Sequence, residues 1–254
     1  MNFTDAPSPY FTDVPSPYFN DRPEGVQPSL VVLHFTGGKS FDYALETLTK
    51  ARAQEDGSLR KVSAHYLIRE DGAIFRLVDE SKRAWHAGVG SWKGSGDVND
   101  ISIGIEISNR DRKPYTPEQL AAVTALCHDI QNRYNIPPQN VIGHSDIAPD
   151  RKDDPGYHFP WALLAKEGMG VMPQPKLRDY FRAKSIARNP KKLRELFNKA
   201  GYKAENLEKM VGAFQQHYEP TVYTDPKHGE KPGTATAKTV AKLRAVARYN
   251  KKHG

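Results

Sequence analysis

One cysteine, Cys127, stands among 254 residues, so no disulfide can form within the chain and no multi-cysteine metal cluster is available. Any metal held here must rest on histidine and carboxylate. No apolar run approaches the ~20 residues of a membrane-spanning helix. The opening residues, MNFTDAPSPYF, lack the basic cluster and apolar stretch of a signal peptide. Acids are scarce in one part only. Residues 172–254 hold 7 Asp and Glu against 19 Lys and Arg, whereas residues 1–171 hold 23 against 18. A basic tail on an acidic body points to two units with different partners. The positive unit suits nucleic acid, an anionic membrane surface or an anionic cell-wall polymer. Few aromatics interleave with its lysines, which counts against nucleic acid.

What is present divides the chain. Phe3–Tyr10 (FTDAPSPY) is repeated at once as Phe11–Tyr18 (FTDVPSPY); so proline-rich a period excludes a helix or a central strand and predicts an extended arm over 1–28. Order is expected to begin at Ser29, with Leu30-Val31-Val32-Leu33 a buried strand. A helix is predicted over 39–53, a hairpin of 65–69 and 73–78 joined by Glu70-Asp71-Gly72, and a strand over 101–107. Thr116-Pro117-Glu118 opens a helix reaching Tyr134. Val141-Ile142 is a short strand followed by a long polar loop. This predicts an α/β chain of the α+β type: a mixed central sheet flanked by helices over 29–171. Met172-Pro173-Gln174-Pro175 marks a linker, and 176–254 reads as a small three-helix bundle (about 176–200, 205–218 and 234–250) with a loop over 219–233.

His34 and His144 each directly follow a predicted strand, where α/β sheets build their sites. Asp154 comes ten residues after His144, between Pro149 and Pro155. Two imidazoles and one carboxylate make a three-ligand set that leaves a fourth zinc position open; on spacing alone, satisfied strand-end histidines are the favoured reading. Alternation puts Glu106 on the side of Ser102 and Gly104, opposite the isoleucines. There it is either a solvated edge residue or a general base. Lys152 is a surface lysine or a partner for negative charge near a metal. His86 contacts substrate or packs beside Trp85, and His65 reads as a structural histidine. Cys127 and His128, adjacent on a helix, point about 100° apart and make no catalytic pair.

The runs VVLHFTGG (31–38), VSAHYLIREDGAI (62–74), RAWHAGVG (83–90), NDISIGIEISN (99–109), YTPEQ (115–119) and GHSDIAPDRKDDPG (143–156) together resemble the zinc-dependent N-acetylmuramoyl-L-alanine amidases. The resemblance is nearest to a bacterial branch with a cytoplasmic muropeptide-recycling member and an envelope-anchored one. Lys199–Tyr202 (KAGY) and Ala213–Tyr218 (AFQQHY) look like a peptidoglycan-binding three-helix module. Residue by residue, the resemblance implies one zinc on His34, His144 and Asp154. It implies Glu106 as the residue that activates water, Lys152 as the oxyanion stabiliser and His86 as a substrate contact. A tyrosine used by some phage members is absent, its position being Ala64. The implied activity is hydrolysis of the amide between the lactyl group of muramic acid and L-alanine, in peptidoglycan or muropeptides. The other reading is a peptidoglycan-binding protein without catalysis. The implied place is the periplasm or cell envelope, with a cytoplasmic recycling role as the alternative. Neither nucleic acid nor a transmembrane segment is expected, and a monomer is the default.

Overall fold

The computed structural model describes residues 9–38, 40–54, 56–110, 113–225 and 229–253. The arm contributes more than expected. Its second repeat supplies β1 (Phe11–Asp13) and leads into β2 (Phe19–Asp21), each short enough to leave Pro15 and Pro17 between them, where no ladder N–H is needed. The first repeat lies mostly outside the described residues. Next come β3 (Leu30–Phe35), α1 (Phe41–Thr49) and a ribbon of β4 (Arg52–Ala53) with β5 (Leu59–Arg60). Helix α1 is shorter than predicted. Ser40 caps it by accepting from the Tyr43 N–H at 3.1 Å, and Lys50 is already extended.

The hairpin β6 (Tyr66–Ile68) and β7 (Ile74–Arg76) forms at its predicted turn, and β8 (Lys82–Ala84) pairs antiparallel with β2. A one-turn helix α2 (Val98–Ile101), capped by Asp97, delays β9 to Ser102–Ile107. Helix α3 (Pro117–Tyr134) has a full capping box of Thr116 and Gln119. After β10 (Val141–Gly143), where a polar loop was expected, the chain turns at once into α4 (His144–Ile147), and α5 (Trp161–Lys166) follows.

The main sheet runs β1-β7-β6-β9-β3-β10, parallel except between β6 and β7. Alternation along β3 and β9 sorts its two faces. Val31, Leu33, Ile103, Ile105 and Ile107 pack under α3 against Val123, Leu126, Cys127 and Ile130. Cys127 is therefore a core residue, its thiol pushed up to about 12 by burial. Leu30, Val32 and Ile142 point the other way. Burying these side chains contributes about 1.5–3 kcal/mol each, and it leaves His34 and Glu106 on the second face.

At its β3–β10 edge that second face shares a core with the C-terminal helices. A 3-10 turn (Leu177–Tyr180) precedes α6 (Ala183–Ala187), α7 (Pro190–Ala200), α8 (Leu207–Tyr218), α9 (Thr221–Thr224) and α10 (Ala237–His253). The predicted helix 176–200 breaks because Pro190 cannot continue one and instead starts α7, with Asn189 as its cap. Helix α9 interrupts the predicted loop 219–233. Phe197, Tyr202, Met210, Phe214, Val240 and Leu243 join Leu30, Val32, Trp92 and Ile147 in one buried cluster. A polar brace crosses the same boundary. Buried Asp146 accepts from the Gly143 N–H at 2.8 Å, the Tyr202 hydroxyl at 2.5 Å and His217 Nδ1 at 2.8 Å. The helical part thus holds the short helix that begins at His144.

Candidate metal centre

Strands β3 and β9 run in register, with His34 beside Glu106. His144 starts α4 at the end of β10, which is β3's other neighbour. Asp154 is carried to the same place by a loop folded back on the strand end: its carbonyl accepts from the Ser145 N–H at 2.8 Å, and the Tyr115 hydroxyl donates to the Pro155 carbonyl at 2.8 Å. Gly143 is required there, since a Cβ would lie 2.6 Å from Pro155 Cδ.

Three side chains converge. His34 Nδ1 lies 2.9 Å from His144 Nδ1, and each lies 3.0 Å from Asp154 Oδ2. All three residues are buried. The hydrogen bonds behind them fix their protons. The Ser102 hydroxyl donates to the Val98 carbonyl at 2.6 Å, so its oxygen accepts from His86 Nε2–H at 3.1 Å. His86 Nδ1 is then bare and accepts from His34 Nε2–H at 3.0 Å. His144 Nε2–H donates to the Ala87 carbonyl at 2.9 Å. With the rings neutral, that leaves a lone pair on each Nδ1. Burial, chiefly, lowers the His34 pKa to about 4, so it is neutral near pH 7. Burial pulls the Asp154 carboxyl up, but His144 and His34 beside it hold it far below the ordinary carboxylate range. In that state three acceptors face one another, an arrangement that repels unless a cation sits among them. The set fits a metal ion, with each imidazole's remote N–H held as metal-ligating histidines usually are.

Glu106 is half-buried on β9 with its Oε2 buried and without a hydrogen-bond partner among the described residues. Burial and then the Asp154 charge push its pKa up to about 8, against the pull of Lys152 and Arg60. It opens onto a groove of about 630 Å³ that Gly37, Tyr43, Arg52, Arg60 and Arg110 also line. Lys152, half-buried, follows the turn after α4 and lines a second groove against α8. Its charge reaches both His34 and Glu106. His86, expected to touch substrate, has both ring nitrogens engaged inside the protein.

The residues behind the site were not foreseen. Arg22, in the supposed arm, donates to the carbonyls of Glu80, Asn99, Asp100 and Ser102. Gly104 makes room for the His86 ring, and a glycine amid isoleucines in a central strand was the available signal of close approach. His65 is structural as expected, its Nδ1 accepting from the Gly104 N–H at 2.9 Å and its Nε2 bonding to the Lys82 carbonyl at 3.1 Å. Burial, and secondarily Arg22, lower its pKa to about 3. An imidazole neutral in the fold and protonated when unfolded stabilises above pH 6.5, and that stability is lost as pH falls toward 3. Between pH 7 and 5, urea unfolding is expected to show about 2 kcal/mol more loss for the native protein than for His65→Gln.

Comparison with known proteins places the chain in a family. Escherichia coli (strain K12) N-acetylmuramoyl-L-alanine amidase AmiD is 36% identical over 233 residues, 82% of this chain and 81% of its own. The 1,6-anhydro-N-acetylmuramyl-L-alanine amidase AmpD of Citrobacter freundii is 43% identical over 152 residues, 56% of this chain and 81% of its own. Among solved structures, E. coli AmiD in complex with the substrate anhydro-N-acetylmuramic acid-L-Ala-D-gamma-Glu-L-Lys gives a TM-score of 0.72 at 33% identity, covering 90% of this chain and 92% of that one. AmpDh3 from Pseudomonas aeruginosa, in complex with anhydromuramic pentapeptide, also gives 0.72, at 30% identity over 95% and 99%. The family profile described as N-acetylmuramoyl-L-alanine amidase matches residues 24–157, more than half the chain and every residue of the converged set. The chain belongs to the N-acetylmuramoyl-L-alanine amidase family.

Proposed function

We propose that the chain hydrolyses the amide between the lactyl group of N-acetylmuramic acid, or its anhydro form, and the L-alanine of the stem peptide, with one zinc ion held by His34, His144 and Asp154. The observation that carries this is the convergence of three buried ligand atoms, of His34, His144 and Asp154, beside Glu106 on the adjoining strand. Zinc bound there would polarise the scissile carbonyl and make water at the site more acidic.

Glu106, with no partner on Oε2, takes a proton from the attacking water and returns it to the departing amine of L-alanine. Lys152 sets its ammonium against the negative oxygen of the tetrahedral intermediate. His86 holds His34 rather than the substrate. The arginines of the Glu106 groove suit a stem peptide with free carboxylates. The peptide bound to E. coli AmiD has such a group, since its glutamate is linked through the γ-carboxyl. Residues 29–171 act as the catalytic unit and the basic residues 176–254 as a wall-binding unit after the linker 172–175, which suits work in the cell envelope. No helix among the described residues is long and apolar enough to cross a membrane.

Incubation of the protein with an anhydromuramyl peptide, followed by mass spectrometry, tests the reading. Free peptide with an L-alanine N-terminus is expected, lost on chelation and restored by zinc. Binding without release, with or without zinc, would instead support the non-catalytic peptidoglycan-binding reading.

A further inference from the structure

The turn Leu177–Tyr180 and its continuation into α6 are folded with their polar side inward. Asp179, the one acid between residues 176 and 184, is 4% exposed. Its carboxylate accepts from the Lys176 N–H at 2.6 Å and from Arg248 at 2.5 Å. Arg244, on α10, donates to the carbonyls of Asp179 and Phe181 at 2.9 and 2.7 Å. Ala183 is buried, and Ile186 and Ala187 pack on the same core. The segment is thereby fixed to the body.

Its apolar side chains face solvent. Leu177 is 90% exposed, Phe181 66% and Tyr180 47%. Lys176, Arg178, Arg182 and Lys184 are exposed around them, and the Arg182 guanidinium lies 5.2 Å from the Phe181 ring centroid. Arg182 takes left-handed backbone angles (φ 54°, ψ 15°), a conformation costly for a residue with a Cβ. The fold accepts that strain where Phe181 turns outward. A fixed turn that hides its acid and exposes one aliphatic and two aromatic side chains interspersed in sequence with four cations has the composition of an interfacial anchor. A polysaccharide would engage the aromatics and the charges, whereas a nearly fully exposed leucine suits hydrocarbon better than sugar.

We propose that Leu177–Lys184 docks the protein on a bilayer surface rich in anionic phospholipid, with Leu177 and Phe181 entering the headgroup–acyl boundary and Arg178, Arg182 and Lys184 meeting the phosphates. The docking is independent of the amidase reading. Each cation at such a surface contributes about fivefold in partitioning.

Flotation with vesicles tests this, using phosphatidylethanolamine with about one-third phosphatidylglycerol against phosphatidylcholine alone. The full-length protein is expected to float with the first and not the second. Arg178→Gln/Arg182→Gln/Lys184→Gln should weaken binding roughly a hundredfold, and Leu177→Ser/Phe181→Ser at least tenfold. Both variants should release stem peptide from a soluble muropeptide at the native rate, which shows that they fold. The proposal is overturned if the native protein stays unbound, if both variants float like it, or if the same substitutions abolish retention on purified peptidoglycan but leave flotation unchanged.

Discussion

Glu106→Gln is expected to keep its metal and lose turnover. The substitution is isosteric, and Glu106 is not among the three side chains whose ligand atoms converge, so metal content and affinity should match the native protein. What disappears is a group able to accept a proton. General base and acid work of this kind contributes about 10²–10⁴-fold, and the drop should fall on kcat, with KM little changed, because glutamine preserves the groove wall. The pH profile supplies a second readout. In the metal-free protein burial and Asp154 raise Glu106 to about 8; a divalent cation beside it opposes that rise. The base acts when ionised, so native activity should fall as pH drops through a value below 8, and the residual activity of the variant should lack that limb. A Glu106→Gln protein with native kcat removes this residue from the chemistry.

The strand-end positions of His34 and His144 were legible in the sequence because β3 and β10 are short, buried and continuous, while the convergence of Asp154 on them was implied only by the family resemblance. Glu106 was legible for a similar reason: in a central strand the two-residue period holds, and its neighbours Ile105 and Ile107 fix the opposite face. The arm misled because β1 and β2 are three residues each and their partners, β7 and β8, lie about sixty residues away. No local pattern encodes such pairing. The same holds for Asp146, which reads as an ordinary loop acid until Tyr202 and His217 are brought onto it from the C-terminal helices. Those helices were legible as amphipathic segments, though their apolar stripes do not say that they share a core with β3 and β10. His86 was legible in part. Its position beside the site was right, but its role depends on which nitrogen carries the proton, and that is set by the Ser102 hydroxyl and the Val98 carbonyl.

That proton chain makes Gly104 a control point for metal binding. A Cβ at this position would stand 2.4 Å from His86 Cγ and 2.6 Å from its Nδ1, well inside contact distance. The backbone cannot yield, because Gly104 pairs with Val32 on one side while its N–H and carbonyl are both bonded to His65 on the other. In Gly104→Ala the His86 ring must therefore move, and His34 Nε2–H loses its acceptor. His34 is then free to carry its proton on Nδ1, where it opposes the metal instead of binding it. Loss of a partner behind a ligand typically costs 10–100-fold in metal affinity, and the added methyl costs about 1–3 kcal/mol of stability through overpacking. Ser102→Ala separates the two effects. It adds no bulk and removes only the acceptor that holds the His86 tautomer, so affinity measured by competition with a chelator should fall in the same direction, by a smaller factor, with an almost unchanged melting temperature. If both variants bind zinc like the native protein, the hydrogen-bonded chain from Val98 to His34 has no part in setting metal affinity.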